Sequence, residues 1–218
     1  VNFIGSGTTT LTAVSDYSVA TNINAGKVIV ASGASIANSS LTTVNSGGTL
    51  AGAGSVGNVM VANGGTIAQN GSDKLTVKDI TFAAGSIYRV GINPNGQNGS
   101  IVANTATLNG GTVQVNAGTG NFAPGMTYTI LNTAGGVTGQ FANTVSTDLV
   151  FLSAGLDYTN ANKVDVALTR NATSFASIAA TANQRAVAAG AASLPANNPV
   201  YAAVVQQNVA GAQAAYDA

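Results

Sequence analysis

Along the first 120 residues, apolar side chains return at alternate positions over short runs, and each run ends in a corner of Gly, Asn and Ser. The clearest runs are Leu41-Thr42-Thr43-Val44, Val59-Met60-Val61, Leu75-Thr76-Val77 continuing through Ile80 and Phe82, and Ala106-Thr107-Leu108. A period of two sends neighbouring side chains to opposite faces, so these runs predict short β-strands and no helix in this stretch.

A recurrent phrase punctuates the strands: Gly-Gly-Thr, or a close variant, followed by a β-branched residue or leucine. Its copies are Gly33-Ala34-Ser35-Ile36, Gly47-Gly48-Thr49-Leu50, Gly64-Gly65-Thr66-Ile67, Ala84-Gly85-Ser86-Ile87 and Gly110-Gly111-Thr112-Val113. Their last residues are 14, 17, 20 and 26 positions apart, so the repeating unit lengthens along the chain. One unit stacked on copies of itself is how a solenoid is encoded, and here the unit reads strand, glycine corner, strand. Gly47, Gly48, Gly64, Gly65, Gly110 and Gly111 are the expected coil corners.

Short strands at this spacing also suit a β-sandwich or a transmembrane barrel. The phrase returns in register, which stacked coils require and Greek keys do not. Hairpin turns are few, with Asn93-Pro94-Asn95-Gly96 the best candidate for a protruding loop. Long alternating segments framed by aromatic girdles, as a lipid-facing barrel needs, are missing. The expected fold is all-β, a right-handed parallel β-helix of roughly eight coils and about 40 Å, with a short C-terminal α-helical region.

From residue 121 the texture changes. Five of the twelve Phe and Tyr residues, Phe122, Tyr128, Phe141, Phe151 and Tyr158, lie within 122–158, whereas none lies between 18 and 81. Aromatic side chains bury the most surface, so 121–170 is expected to be the more stable module, with these five as its core. After Arg170 alanine dominates. Thr181 or Asn183 can cap a helix running toward Leu194 and stopped by Pro195, and Pro199 suits the first turn of another with an apolar stripe at Val200, Val204 and Val205. A third, weaker stretch follows near Ala210, giving three units: a stem over 1–120, a β module over 121–170 and a helical region over 171–218.

Charge is scarce, with seven basic and seven acidic residues, all the acids Asp, and none at all over 28–72 or 90–147. That leaves no basic track for nucleic acid and no polybasic membrane patch. No segment is apolar for long enough to form a spanning helix, so direct membrane insertion by this chain is not expected. The opening Val1-Asn2-Phe3-Ile4-Gly5 reads like the middle of a repeat, so a piece of a longer protein is expected.

These parts resemble a family. Residues 47–67, from Gly-Gly-Thr-Leu to Gly-Gly-Thr-Ile, resemble the β-strand repeat of bacterial autotransporter passengers. Residues 122–170, from Phe-Ala-Pro-Gly-Met-Thr-Tyr-Thr-Ile-Leu to Val-Asp-Val-Ala-Leu-Thr-Arg, are similar to the passenger module called the autochaperone. Residues 171–218, with Ser174-Phe175-Ala176-Ser177-Ile178-Ala179 and Asn183-Gln184-Arg185-Ala186-Val187, resemble the helical junction before a translocator barrel. Ala68-Gln69-Asn70-Gly71 departs from the Pro-Gly-Asn that often follows the second Gly-Gly-Thr.

The resemblance implies a structural passenger stem, type V secretion, and a location at the bacterial cell surface, anchored through the outer membrane. Its partner would be the protein's own C-terminal outer-membrane β-barrel, with Phe122, Tyr128, Phe141, Phe151 and Tyr158 as a seed from which folding propagates outside the cell. The alternative is an adhesin-type module that binds a host surface, or self-associates between sister cells, through Thr and Asn ladders. A polysaccharide-active β-helix enzyme is the third reading.

Motifs with chemistry are weak. Gly52-Ala53-Gly54-Ser55-Val56-Gly57 has the glycine spacing of a dinucleotide turn, but a strand follows where a helix N-terminus is needed, so these read as corner glycines. Without histidine or cysteine the chain cannot assemble a Ser-His-Asp triad, a Cys-His pair or a zinc site. Lys27, Lys74, Lys78 and Lys163 read as solvated, and Asp73 and Asp79 as surface ion partners of Lys74 and Lys78. The Gly-Gly pairs run into Thr or Val rather than a calcium-binding repeat. The expectation is a chain that is not an enzyme, with no catalytic residue, metal or cofactor.

Overall fold

The computed structural model describes residues 1–147 and 149–218, with the backbone alone over 145–147. An incomplete coil, β1 (Asn2–Phe3) and β2 (Thr8–Leu11), opens the chain. Five full coils of three strands follow. They are β3 (Thr21–Ile23), β4 (Gly26–Val30) and β5 (Ser35–Ile36); β6 (Thr42–Val44), β7 (Gly48–Gly52) and β8 (Ser55–Val56); and β9 (Val59–Val61), β10 (Thr66–Gln69) and β11 (Lys74–Val77). Then come β12 (Asp79–Phe82), β13 (Ile87–Ile92) and β14 (Ser100–Ala103), and β15 (Thr105–Asn109), β16 (Thr112–Ala117) and β17 (Thr127–Thr133). The last partial coil is β18 (Val137–Gln140) and β19 (Asn143–Thr147), followed by β20 (Leu152–Asp157) and β21 (Lys163–Arg170).

Corresponding strands stack into three sheets of seven, and the first two are parallel throughout. The parallel β-solenoid expected from the phrase is therefore present, but with five full coils rather than eight. Seven strands at the usual sheet spacing give a rod of about 30 Å instead of 40 Å.

Register explains the difference. Val28, Leu50, Ile67, Tyr88, Val113 and Thr144 lie in one ladder of the second sheet. Successive coils are thus 22, 17, 21, 25 and 31 residues long. The first copy of the phrase, at Gly33, lies at β5 in the third sheet, and its place in the second sheet belongs to Gly26-Lys27-Val28. The fourth copy is slipped by one: Tyr88, not Ile87, faces inward. A one-residue slip turns every side chain over, and burial of the larger Tyr88 ring fixed which frame won.

The core is made of such ladders. Ile23, Val44, Val61, Phe82 and Leu108 stack in the first sheet, all buried. Outward in that sheet run Thr43, Met60, Thr81, Thr107 and Thr138, an uncharged ladder that is polar except at Met60. Leu41 does not join the core. It lies three residues from the inward Val44, an odd interval that places the two on opposite faces, so Thr42 is buried and Leu41 is 38% exposed.

The third sheet changes character at its last rungs. β17 pairs in parallel with β14 on one side and antiparallel with β21 on the other, across an irregularity between Thr129 and Leu131, and β20 completes the antiparallel ribbon. The antiparallel ribbon is thus continuous with the parallel coils.

Beyond β21 come a 3-10 turn (Phe175–Ile178) and three helices, α1 (Ala182–Ala192), α2 (Pro199–Val205) and α3 (Val209–Asp217). Thr181 caps α1 in a reciprocal capping box with Gln184. Asn198 caps α2 with Pro199 in its first turn. Of the expected stripe, Val204 and Val205 are buried but Val200, in the first turn, is 55% exposed. No helix among the described residues is long and apolar enough to cross a membrane.

Candidate functional site

Of the five aromatic residues expected to form a folding seed, Phe141 and Phe151 fall in two separate ring clusters. Phe141 packs with Phe82 and Tyr88 of the fourth coil, its ring centroid 5.0 Å and 6.2 Å from theirs, and Phe82 lies 5.6 Å from Tyr88. Phe151 packs edge-on against Phe175 at 5.0 Å, and Phe175 against Tyr201 at 5.0 Å. Sequence reading missed Phe82, Tyr88, Phe175 and Tyr201 as members because they lie outside 122–158, although their low frequency elsewhere was a usable signal.

Hydrogen bonds tie the clusters to the backbone. Tyr88 donates its hydroxyl to the Ile130 carbonyl at 2.6 Å and Tyr128 donates to the Asn93 carbonyl at 2.9 Å, each linking the fourth coil to β17 of the fifth. Burial pushes the Tyr128 phenol up to about 12 and that of Tyr88 further. Tyr158 is half-buried and accepts from the Phe141 amide at 3.0 Å; burial raises its pKa, and that hydrogen bond partly offsets the rise. Phe122 is buried and, with Leu149, Phe151 and Val205, lines a cavity of about 230 Å³ at this end of the solenoid.

Arg170, at the end of β21, joins strand to helices. Its guanidinium carbon sits 5.3 Å from the Phe151 ring centre and 5.1 Å from that of Phe175, a double cation–π contact. It also donates to the carbonyls of Phe151, Asn171 and Thr173. Tyr216 of α3 donates to the Phe175 carbonyl at 3.1 Å, and Gln184 to Asp217 at 2.8 Å, so all three helices close on the second cluster.

The corner glycines stand where the chain passes from the first sheet to the second. Gly47 donates to Gly64 at 3.2 Å and Gly64 to Gly85 at 3.0 Å, a hydrogen-bonded line from coil to coil. A Cβ on Gly48 or Gly65 would collide with the carbonyl oxygen of Ile23 or Val44 in the coil before, so close approach demands glycine there. Gly110 and Gly111 both adopt left-handed φ, 105° and 94°. The Gly52–Gly57 segment holds β8 and leads into β9, as its corner reading requires.

Asp79 differs from its expected ion pairing. Its carboxylate accepts from the Thr105 hydroxyl at 2.6 Å, the Thr105 amide and the Asn104 side chain, which hold its pKa below the usual range, with Lys78 a minor contributor. The reason is register: Asp79 stands opposite Thr105 on the next coil. Among the described residues no group of three or more acids, His or Cys that could hold a metal ion is formed.

No protein-family model matches the chain. It is 39% identical over 168 residues, 72% of its length, to an extracellular serine protease of Serratia marcescens. It is 31% identical over 208 residues, 90% of its length, to a second protein of that name and organism. The chain spans only 16% and 19% of the lengths of these relatives. Both names denote enzymes, which overturns the expectation that the chain stands outside enzyme function. That expectation weighed catalytic groups within 218 residues alone, whereas the relatives are several times longer. Homology to these proteases, joined to a β-solenoid closed by a helical region, makes the chain a passenger region of the bacterial autotransporter kind.

Proposed function

We propose that the chain is the stem of a secreted or surface-exposed serine protease, and that its C-terminal coils seed folding outside the outer membrane. The chain contains no histidine, so a histidine-dependent triad would draw its base from polypeptide outside these 218 residues. The partner in export is the protein's own outer-membrane β-barrel. Residues 1–120 serve as stem, 121–170 as seeding module and 171–218 as junction.

The observation that carries this reading is the distribution of core side chains. The apolar core of the first three full coils is Ile, Val, Leu and Ala, while every buried ring among the described residues belongs to the fourth coil or beyond. Each solenoid coil needs only its neighbour, so a better-packed end folds first and templates the next coil. Export from the C-terminal end then disfavours backsliding.

The test is surface display of the full-length protein. Tyr128→Ser and Phe151→Ser are expected to reduce display and expose the passenger to protease. Ile23→Ser, equally buried but in the first full coil, is expected to leave display intact. Normal display of both C-terminal variants would refute the seeding role.

A further inference from the structure

A cleft of about 420 Å³ lies on the outer face of the third sheet. Its floor carries Lys74 of β11, Ser100 of β14, Asn132 of β17 and Lys163 of β21, four consecutive strands. One wall is the protruding loop between β13 and β14, which contributes Gln97 and Asn98. That loop is fastened in place: Asn93 donates to Gln97 at 2.8 Å, Asn98 donates to the Thr129 carbonyl at 2.8 Å, and Tyr128 reaches the Asn93 carbonyl.

Three features give the cleft a chemistry. It gathers two of the chain's four lysines, and no acid lines it. The nearest acid on this sheet, Asp165, lies on the same face of β21 as Lys163 and pairs with Thr129 at the edge of the cleft and with Asp157 beyond it, so it marks one end of the cationic stretch. The Lys74 and Lys163 ammonium groups, the Ser100 hydroxyl and the Asn132 amide make no hydrogen bond to other described groups, so donors and acceptors face solvent unspent. Lys74 and Lys163 are three strands apart, about 14 Å at the usual spacing, a separation that an extended anionic chain spans.

We propose that this cleft binds an extended acidic saccharide, its carboxylate or sulfate groups held by Lys74 and Lys163 and its hydroxyls by Ser100 and Asn132. Hydroxyl and amide groups between two cations match alternating hydroxyls and anions. The lining holds no aromatic ring on which a nucleic-acid base would stack. This site is separate from the folding role and does not depend on it.

The test titrates the 218-residue chain with a heparin hexasaccharide, an oligogalacturonate, neutral maltohexaose and a short oligodeoxythymidylate. At least one acidic saccharide should bind, more weakly as salt rises, and maltohexaose should not. Loss of charge-assisted bonds in Lys74→Ala or Lys163→Ala should weaken binding about tenfold each, and the double Lys→Arg variant should retain it. Circular dichroism melts confirm that the variants fold. Failure of both acidic saccharides to bind, unchanged affinity in the double Ala variant, or equal affinity for the oligonucleotide would overturn the assignment.

Discussion

The Tyr88 hydroxyl donates to the Ile130 carbonyl at 2.6 Å, joining residues 42 positions apart through the centre of the solenoid. Tyr88 is fully buried, and its ring also meets Phe82 and Phe141. Tyr88→Phe keeps the ring and deletes the bond, leaving a buried carbonyl with one donor fewer. The expected loss is about 1–2 kcal/mol, read as a lower urea midpoint with unchanged m value.

Glycine substitutions should split by position. Gly48→Ala drives a methyl group into the Ile23 carbonyl of the coil before, and is expected to cost about 1–3 kcal/mol. Gly190→Ala, in α1 with nothing within 4 Å of the added carbon, should instead stabilise by about 0.5–1 kcal/mol. Thermal melts of the two variants beside the parent give the comparison.

Gln69 faces the core in register with Val90, is completely buried, and neither its amide nitrogen nor its amide oxygen has a hydrogen-bond partner among the described residues. An apolar side chain of similar size removes that desolvation penalty. Gln69→Leu is expected to raise stability by about 1 kcal/mol in a denaturant titration.

Asp79 makes stability depend on acid. Its carboxylate is held by the Thr105 hydroxyl first, and its folded-state pKa lies below the ordinary value of about 4. Its contribution is therefore present at neutral pH and is lost as the pH falls through that depressed value. Asp79→Asn should melt below the parent at pH 7, the two converging toward pH 2, in a series of melts over that range.

What the sequence disclosed was mostly local. Thr181 and Gln184 sit three residues apart, the spacing of a capping box, and α1 begins where they place it. Parallel stacking was legible because Gly-Gly-Thr returns on the same edge of successive coils, as Gly48 and Gly65 do. Frame was harder. Ile87 and Tyr88 are both apolar neighbours after the corner, and only packing against Phe82 and Phe141 decides which turns inward. Arg170 was unreadable as a clasp because its partners, Phe151 and Phe175, acquire meaning only once β21 and the helical region are folded together. The lysine cleft was hidden likewise, since Lys74 and Lys163 are far apart in the chain and meet on one sheet only through β14 and β17.

Coils of 17 and 31 residues share one interior, the added residues being divided between longer strands and longer bends between sheets. Natural selection can therefore lengthen or rewrite a bend such as the one around Gly96 without disturbing what lies inside, and a designer can splice a foreign peptide at that point for display along the rod.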